Sequence, residues 1–226
     1  MDRRDRETLD ASYRELVGFY FQVKELVAAS ETEDSEQRLS LSAISELRAA
    51  IDHVMRAHNV LYGLVQENDI ATQTGLPAVE YCGKNYDKAR GHLYRAGYDA
   101  YDIIIISLVQ EIRRMLRCLS LSALYAVIPD AAESVMAPLE EGRSLAVQAK
   151  MKKDIESTSQ ERQQFLACEQ AAKRLYDVKH LLDQKGKALI DFEKAHRKER
   201  LKERVINLLL GAIVGAGITA AATLLL

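Results

Sequence analysis

The C-terminal run Val205 to Leu226 reads VINLLLGAIVGAGITAAATLLL and carries no charged side chain. At about 1.5 Å rise per residue such a helix spans roughly 33 Å, close to the ~30 Å hydrocarbon core of a bilayer. A helix this apolar on every side has no face to turn to water. The run also closes the sequence, the pattern of a C-terminal single-pass anchor. Residues 205–226 are therefore expected to form a transmembrane helix, with membrane lipids as partners.

The flank orients the span. Lys194 to Arg204 holds six basic residues against Glu199 and Glu203, a net of +4. With −2 for the whole chain, residues 1–193 carry −6. Basic residues beside a span stay on the cytoplasmic side and meet anionic head groups. The N-terminal part is expected in the cytoplasm. Within the run, Gly211 and Gly215 form a GxxxG, and Gly217 extends the small residues. Small residues let helix backbones approach closely in lipid. This predicts a homo-oligomer assembled through Gly211, Gly215 and Gly217.

The other residues exclude several classes. There are 31 Lys+Arg against 33 Asp+Glu, so no DNA partner is expected. Three prolines leave helices uninterrupted, and an all-β sandwich lacks its turns. Cys82, Cys118 and Cys168 are far apart and form no CxxC, so neither a disulfide framework nor a zinc site is expected. No Walker A loop, HExxH or G-x-S-x-G occurs. No metal and no cofactor are expected.

Apolar periodicity predicts an all-α helical bundle. Leu9, Tyr13, Leu16, Tyr20, Val23 and Val27 mark a helix over 7–29. Ile44, Leu47, Ile51, Val54, His58, Leu61 and Val65 mark a second, ending near 66–68. Residues 69–83, with Thr74-Gly75-Leu76-Pro77, read as a loop. A third helix over 85–117 is apolar nearly all round and should be central. Pro129 and Pro138 mark breaks. From Gly142 to Arg204 the chain reads as one long helix of roughly 90 Å that runs into the transmembrane span. The expected units are a bundle over 1–141, the long helix with its basic end over 142–204, and the anchor over 205–226.

Two segments match one another. Ala50-Ile51-Asp52-His53-Val54-Met55-Arg56-Ala57 aligns with Ala89-Arg90-Gly91-His92-Leu93-Tyr94-Arg95-Ala96, sharing H-x-x-R-A. In the third helix His92, Arg95, Asp99 and Asp102 share one stripe. Arg48, Asp52, Arg56 and Asn59 share another in the second. Facing each other they predict a polar seam of Asp52, Arg56, His92, Arg95, Asp99 and Asp102. Buried ions cost several kcal/mol each unless paired. Arg95 with Asp52, or Arg56 with Asp99, supplies the pairing.

Arg48-x-x-x-x-His53 resembles the R-x4-6-H motif of the HEPN superfamily, small helical bundles that include metal-independent ribonucleases. The resemblance covers residues 40–125 at most. It implies a HEPN-like bundle of bacterial defence type. In an active member, Arg48 would stabilise phosphate charge and His53 would move a proton. The expected function is a non-enzymatic, membrane-anchored protein that self-associates, acts at the membrane and meets an unknown soluble protein partner. A membrane-tethered HEPN-like ribonuclease and a passive membrane scaffold or adaptor stand as alternatives.

Overall fold

The computed structural model describes residues 1–33, 41–151 and 158–224, and for 146–151, 158–160 and 207–224 it describes the backbone alone. Among the described residues all regular structure is helical: α1 (Arg3–Glu33), α2 (Leu41–Leu61), α3 (Glu67–Thr74), α4 (Ala78–Leu116), α5 (Leu121–Val127), a π-helical turn (Ala132–Met136), α6 (Ala137–Met151) and α7 (Thr158–Leu224). α4 is the axis of the bundle, and α1, α2, α6 and α7 all pack against it. Its Ile104, Ile105, Leu108 and Ile112 are buried on the stretch that read as apolar nearly all round. Covering an aliphatic side chain in this way stabilises by roughly 1.5–3 kcal/mol.

Beyond α1, which is longer at both ends than the expected 7–29, three parts of the sequence reading need correction. α2 ends at Leu61, because Gly63 turns the chain at φ 68°. There the Gly63 N–H donates to the Val60 carbonyl and the Leu64 N–H to the Asn59 carbonyl. This is a Schellman closure, which places glycine just beyond the helix. Residues 69–83 are no loop. α3 fills 67–74 and stops at Gly75, φ 73°, whose N–H donates to the Ala71 carbonyl. Pro77 then opens α4 well before Asn85, where periodicity places the start; its fixed φ suits a helix start.

The third correction concerns the long helix. It does not run unbroken from Gly142. α6 carries Gly142 alongside α7, where a Cβ on Gly142 would stand 2.9 Å from Leu175 Cδ1. Arg174 also reaches Glu141 at 2.6 Å. A continuous helix from Gly142 to Leu175 would part the two by roughly 50 Å. α6 therefore belongs to the bundle, and no break falls at Pro138: the π-helical turn Ala132–Met136 runs straight into α6, the Ala137 N–H donating to the Ala132 carbonyl, and its wider winding accommodates the missing N–H of Pro138. α7 starts at Thr158 and measures roughly 100 Å.

Among the described residues no helix is long and apolar enough to cross a membrane. Side chains 207–226, on which the anchor and Gly211, Gly215 and Gly217 fall, lie outside the described residues.

Candidate functional site

The repeated segment is first of all a packing code. Ala43, Ala50 and Ala57 recur at heptad spacing on α2, and Cys82, Ala89 and Ala96 do so on α4; all six are buried. Cys82 Sγ lies 3.5 Å from the Ala57 carbonyl. In that antiparallel register Ala89 opposes Ala50 and Ala96 opposes Ala43. Small side chains at heptad spacing let two backbones lie close, and the side chains one turn away from them flank the seam. Those residues are Glu46 and His53 on α2, and Asn85 and His92 on α4.

The polar groups meet there. The rings of His53 and His92 stack at 5.2 Å, 21° from parallel. His53 Nδ1 donates to Asn85 Oδ1 at 2.9 Å, and Asn85 Nδ2 donates to the Tyr81 carbonyl at 2.9 Å. That bond puts the proton of neutral His53 on Nδ1 and leaves Nε2 as its acceptor. His92 Nδ1 lies 2.7 Å from Glu46 Oε2 and 2.8 Å from Arg95 Nη2. The nitrogen donates to Glu46 when it carries a proton, or accepts from Arg95 when bare; it cannot do both. Arg95 Nε donates to Glu46 Oε2 at 3.0 Å, and its Nη1 stands 3.8 Å from Glu161 Oε1 on α7.

Electrostatics follow burial. Desolvation pushes the imidazole of His53 below its ordinary value; the Asn85 bond opposes this, while His92, Arg56 and Lys88 add to it. Glu161, one of the few buried charged residues among those described, is pushed up by desolvation, with Arg95 and His92 pulling against that. Tyr98 hydroxyl donates to the Glu161 carbonyl, so α7 is tied to α4 twice at this residue. The notch for that contact comes from small α4 residues. A Cβ on Gly97 would overlap Phe165 Cε2 and stand 2.9 Å from Cδ2, so only glycine lets the Phe165 ring lie on α4. Phe165 then packs on Tyr94, Tyr98 and Tyr101 at 5.8, 6.4 and 5.3 Å. These tyrosines are core aromatics.

The expected seam is thus only partly assembled. His92 and Arg95 are in it. Asp52 and Arg56 lie on the exposed side of α2 with Arg48 and Asn59. Arg95 takes Glu46 and Glu161 where Asp52 was expected. Asp99 and Asp102 are half-buried on α4, and Asp102 helps raise the buried Cys168 thiol, which burial chiefly pushes up to about 11. Arg48 and His53 do not converge. At 100° per residue the two side chains leave α2 roughly 140° apart.

Glu46 and Glu161 escaped the sequence reading. The alanine heptad could have pointed to Glu46, since it fixes which face of α2 meets α4. Nothing local points to Glu161, which stands far from Arg95 along the chain. Among the described residues no group of three or more His, Cys, Asp or Glu could hold a metal ion.

A second junction lies near the far end of the packed part of α7. Glu193 is buried there and accepts from Ser120 N at 3.1 Å and Ser120 Oγ at 2.6 Å. Those bonds, with Arg197, hold its carboxyl below the ordinary range. Ser120 Oγ in turn accepts from Ala123 N and caps α5. Past Glu193 the side chains to Ile206 are exposed, His196 excepted. No family model, curated protein or solved structure matches this chain.

Proposed function

We propose that the chain is a membrane-anchored helical protein that self-associates and acts at the bilayer without a catalytic site of its own. Its bundle receives a soluble protein partner, and its charge-free run assembles and perturbs the membrane. The observation that carries this reading is the course of α7. The helix is clamped to the bundle from Glu161 to Glu193, emerges as an exposed basic stretch, and continues in backbone to Leu224 through the uncharged run. At about 1.5 Å per residue, the same helix that the bundle holds carries the basic stretch and the uncharged run away from it.

Full-length chain incubated with dye-loaded vesicles rich in anionic lipid tests the reading. Sedimentation with the vesicles and dye release are expected. Binding without release indicates a passive scaffold, and recovery in the supernatant defeats the membrane reading altogether.

One further reading, a HEPN-like ribonuclease, would have to work through His53 without Arg48, which leaves α2 roughly 140° away. His53 Nε2 is an acceptor on a neutral ring, the state a general base requires. RNA cleavage by the purified chain that is lost in His53→Ala supports it. No cleavage, or cleavage unchanged in Arg48→Ala and His53→Ala, removes it.

A further inference from the structure

α2 carries a second apolar face. Ile44, Ile51 and Met55 lie within about 40° of one another around the helix, on the side turned from α4. They remain 43%, 39% and 57% exposed. α1 and α2 both lie on α4 but scarcely touch each other. The gap between them is a groove of about 210 Å³ lined by Tyr13, Val17, Tyr20, Ile51, Val54 and Met55. An apolar strip that runs on into an apolar groove marks an interaction surface.

Charge identifies the occupant. Arg48 and Asp52 are exposed beside the apolar strip. Two copies of α2 crossing antiparallel about a two-fold axis level with residues 49–50 set Ile44 opposite the partner's Met55. The same axis brings Arg48 to the partner's Asp52. One register satisfies the apolar pair and the ionic pair together, as an isologous interface requires. A parallel pairing would set Arg48 against Arg48. An anionic bilayer would meet Asp52 and a bundle of net negative charge. We infer that the Ile44–Arg48–Ile51–Asp52–Met55 face of α2 is the contact surface for a second copy of this chain. The inference deepens the self-association proposed above and rests on it only in requiring a second copy.

The test uses the full-length chain in detergent, with Cys118→Ser to remove the exposed native thiol. Ile44→Cys and Met55→Cys chains are mixed and treated with a short bismaleimide. A covalent 44–55 dimer is expected. Arg48→Asp should lower its yield at least about tenfold, because it sets two acidic side chains together across the interface. Arg48→Asp with Asp52→Arg should restore it, since the pair is only reversed. Circular dichroism of both charge variants should match that of the parent, their side chains being exposed. Absence of the 44–55 product, or a yield indifferent to both charge changes, overturns the inference. A foreign helix or a lipid surface as the true occupant gives that result. The Gly211→Leu/Gly215→Leu chain separates this idea from tail assembly. If its detergent mass equals that of the parent, the tail reading fails while the 44–55 product still supports α2 pairing. If the product is missing in both backgrounds, α2 pairing alone fails.

Discussion

The imidazoles of His53 and His92 stack face to face at 5.2 Å, joining the two copies of the H-x-x-R-A pattern across the α2–α4 seam. Burial chiefly disfavours a charge on His53, the Asn85 bond opposes this, and His92, Arg56 and Lys88 add to the pressure.

His53 makes stability pH-dependent. Its folded value is depressed below about 6.5, so the unfolded chain binds the proton more readily. Stability from this group is full above pH ~6.5 and falls as the pH drops through its folded value. His58, also lowered by burial, acts in the same direction. Thermal unfolding of the detergent-solubilised chain should fall between pH 7.5 and 5.5, and less so in His53→Gln. An unchanged slope in that variant assigns the effect elsewhere.

Glu161 has the opposite sign. Its folded value is raised, so the folded state disfavours the carboxylate, and stability is lost as pH rises through the unfolded and then the folded value. Glu161→Gln keeps the volume and removes the charge, while Arg95 retains Glu46. The variant should melt higher at pH 7, with the advantage vanishing near pH 4. A lower melting point at pH 7 would show that the Arg95 attraction outweighs desolvation.

Gly97→Ala tests the α4–α7 contact. Alanine favours a helix over glycine by about 1 kcal/mol. Against this, its Cβ would overlap the Phe165 ring, and overpacking typically costs about 1–3 kcal/mol. Net destabilisation is expected by chemical denaturation, and Gly97→Ala with Phe165→Leu should recover part of it. Stabilisation by the single change would mean that Phe165 moves aside freely.

Ser120→Ala probes the junction at the base of the exposed basic stretch. It removes the α5 cap, worth about 1 kcal/mol, and one of the two Ser120 donors to Glu193. Amide exchange should quicken in α5 and in α7 around Glu193, with α2 and the first half of α4 unaffected. Uniform acceleration would indicate global rather than local loosening.

Gly211→Leu and Gly215→Leu, singly, should lower the mass of the detergent-extracted assembly, because the larger side chains hold helices apart. Mass equal to the parent in both would exclude tail-driven assembly.

Some of this molecule is legible along the chain alone. The apolar stripe of α1, the all-round apolarity of α4 and the uncharged run after Arg204 are short-range patterns, and each residue's neighbours in sequence suffice to read them. The face of α2 that meets α4 was not so legible, because a turn of about 100° per residue makes stripes such as Arg48–Asp52–Arg56 and Glu46–His53 equally periodic. Burial of Ala43, Ala50 and Ala57 decided between them. Tertiary structure alone placed Glu161 on Arg95 and laid Gly142 beside Leu175. Those partners stand far apart in the sequence, and chain reversals that local propensity does not encode bring them together.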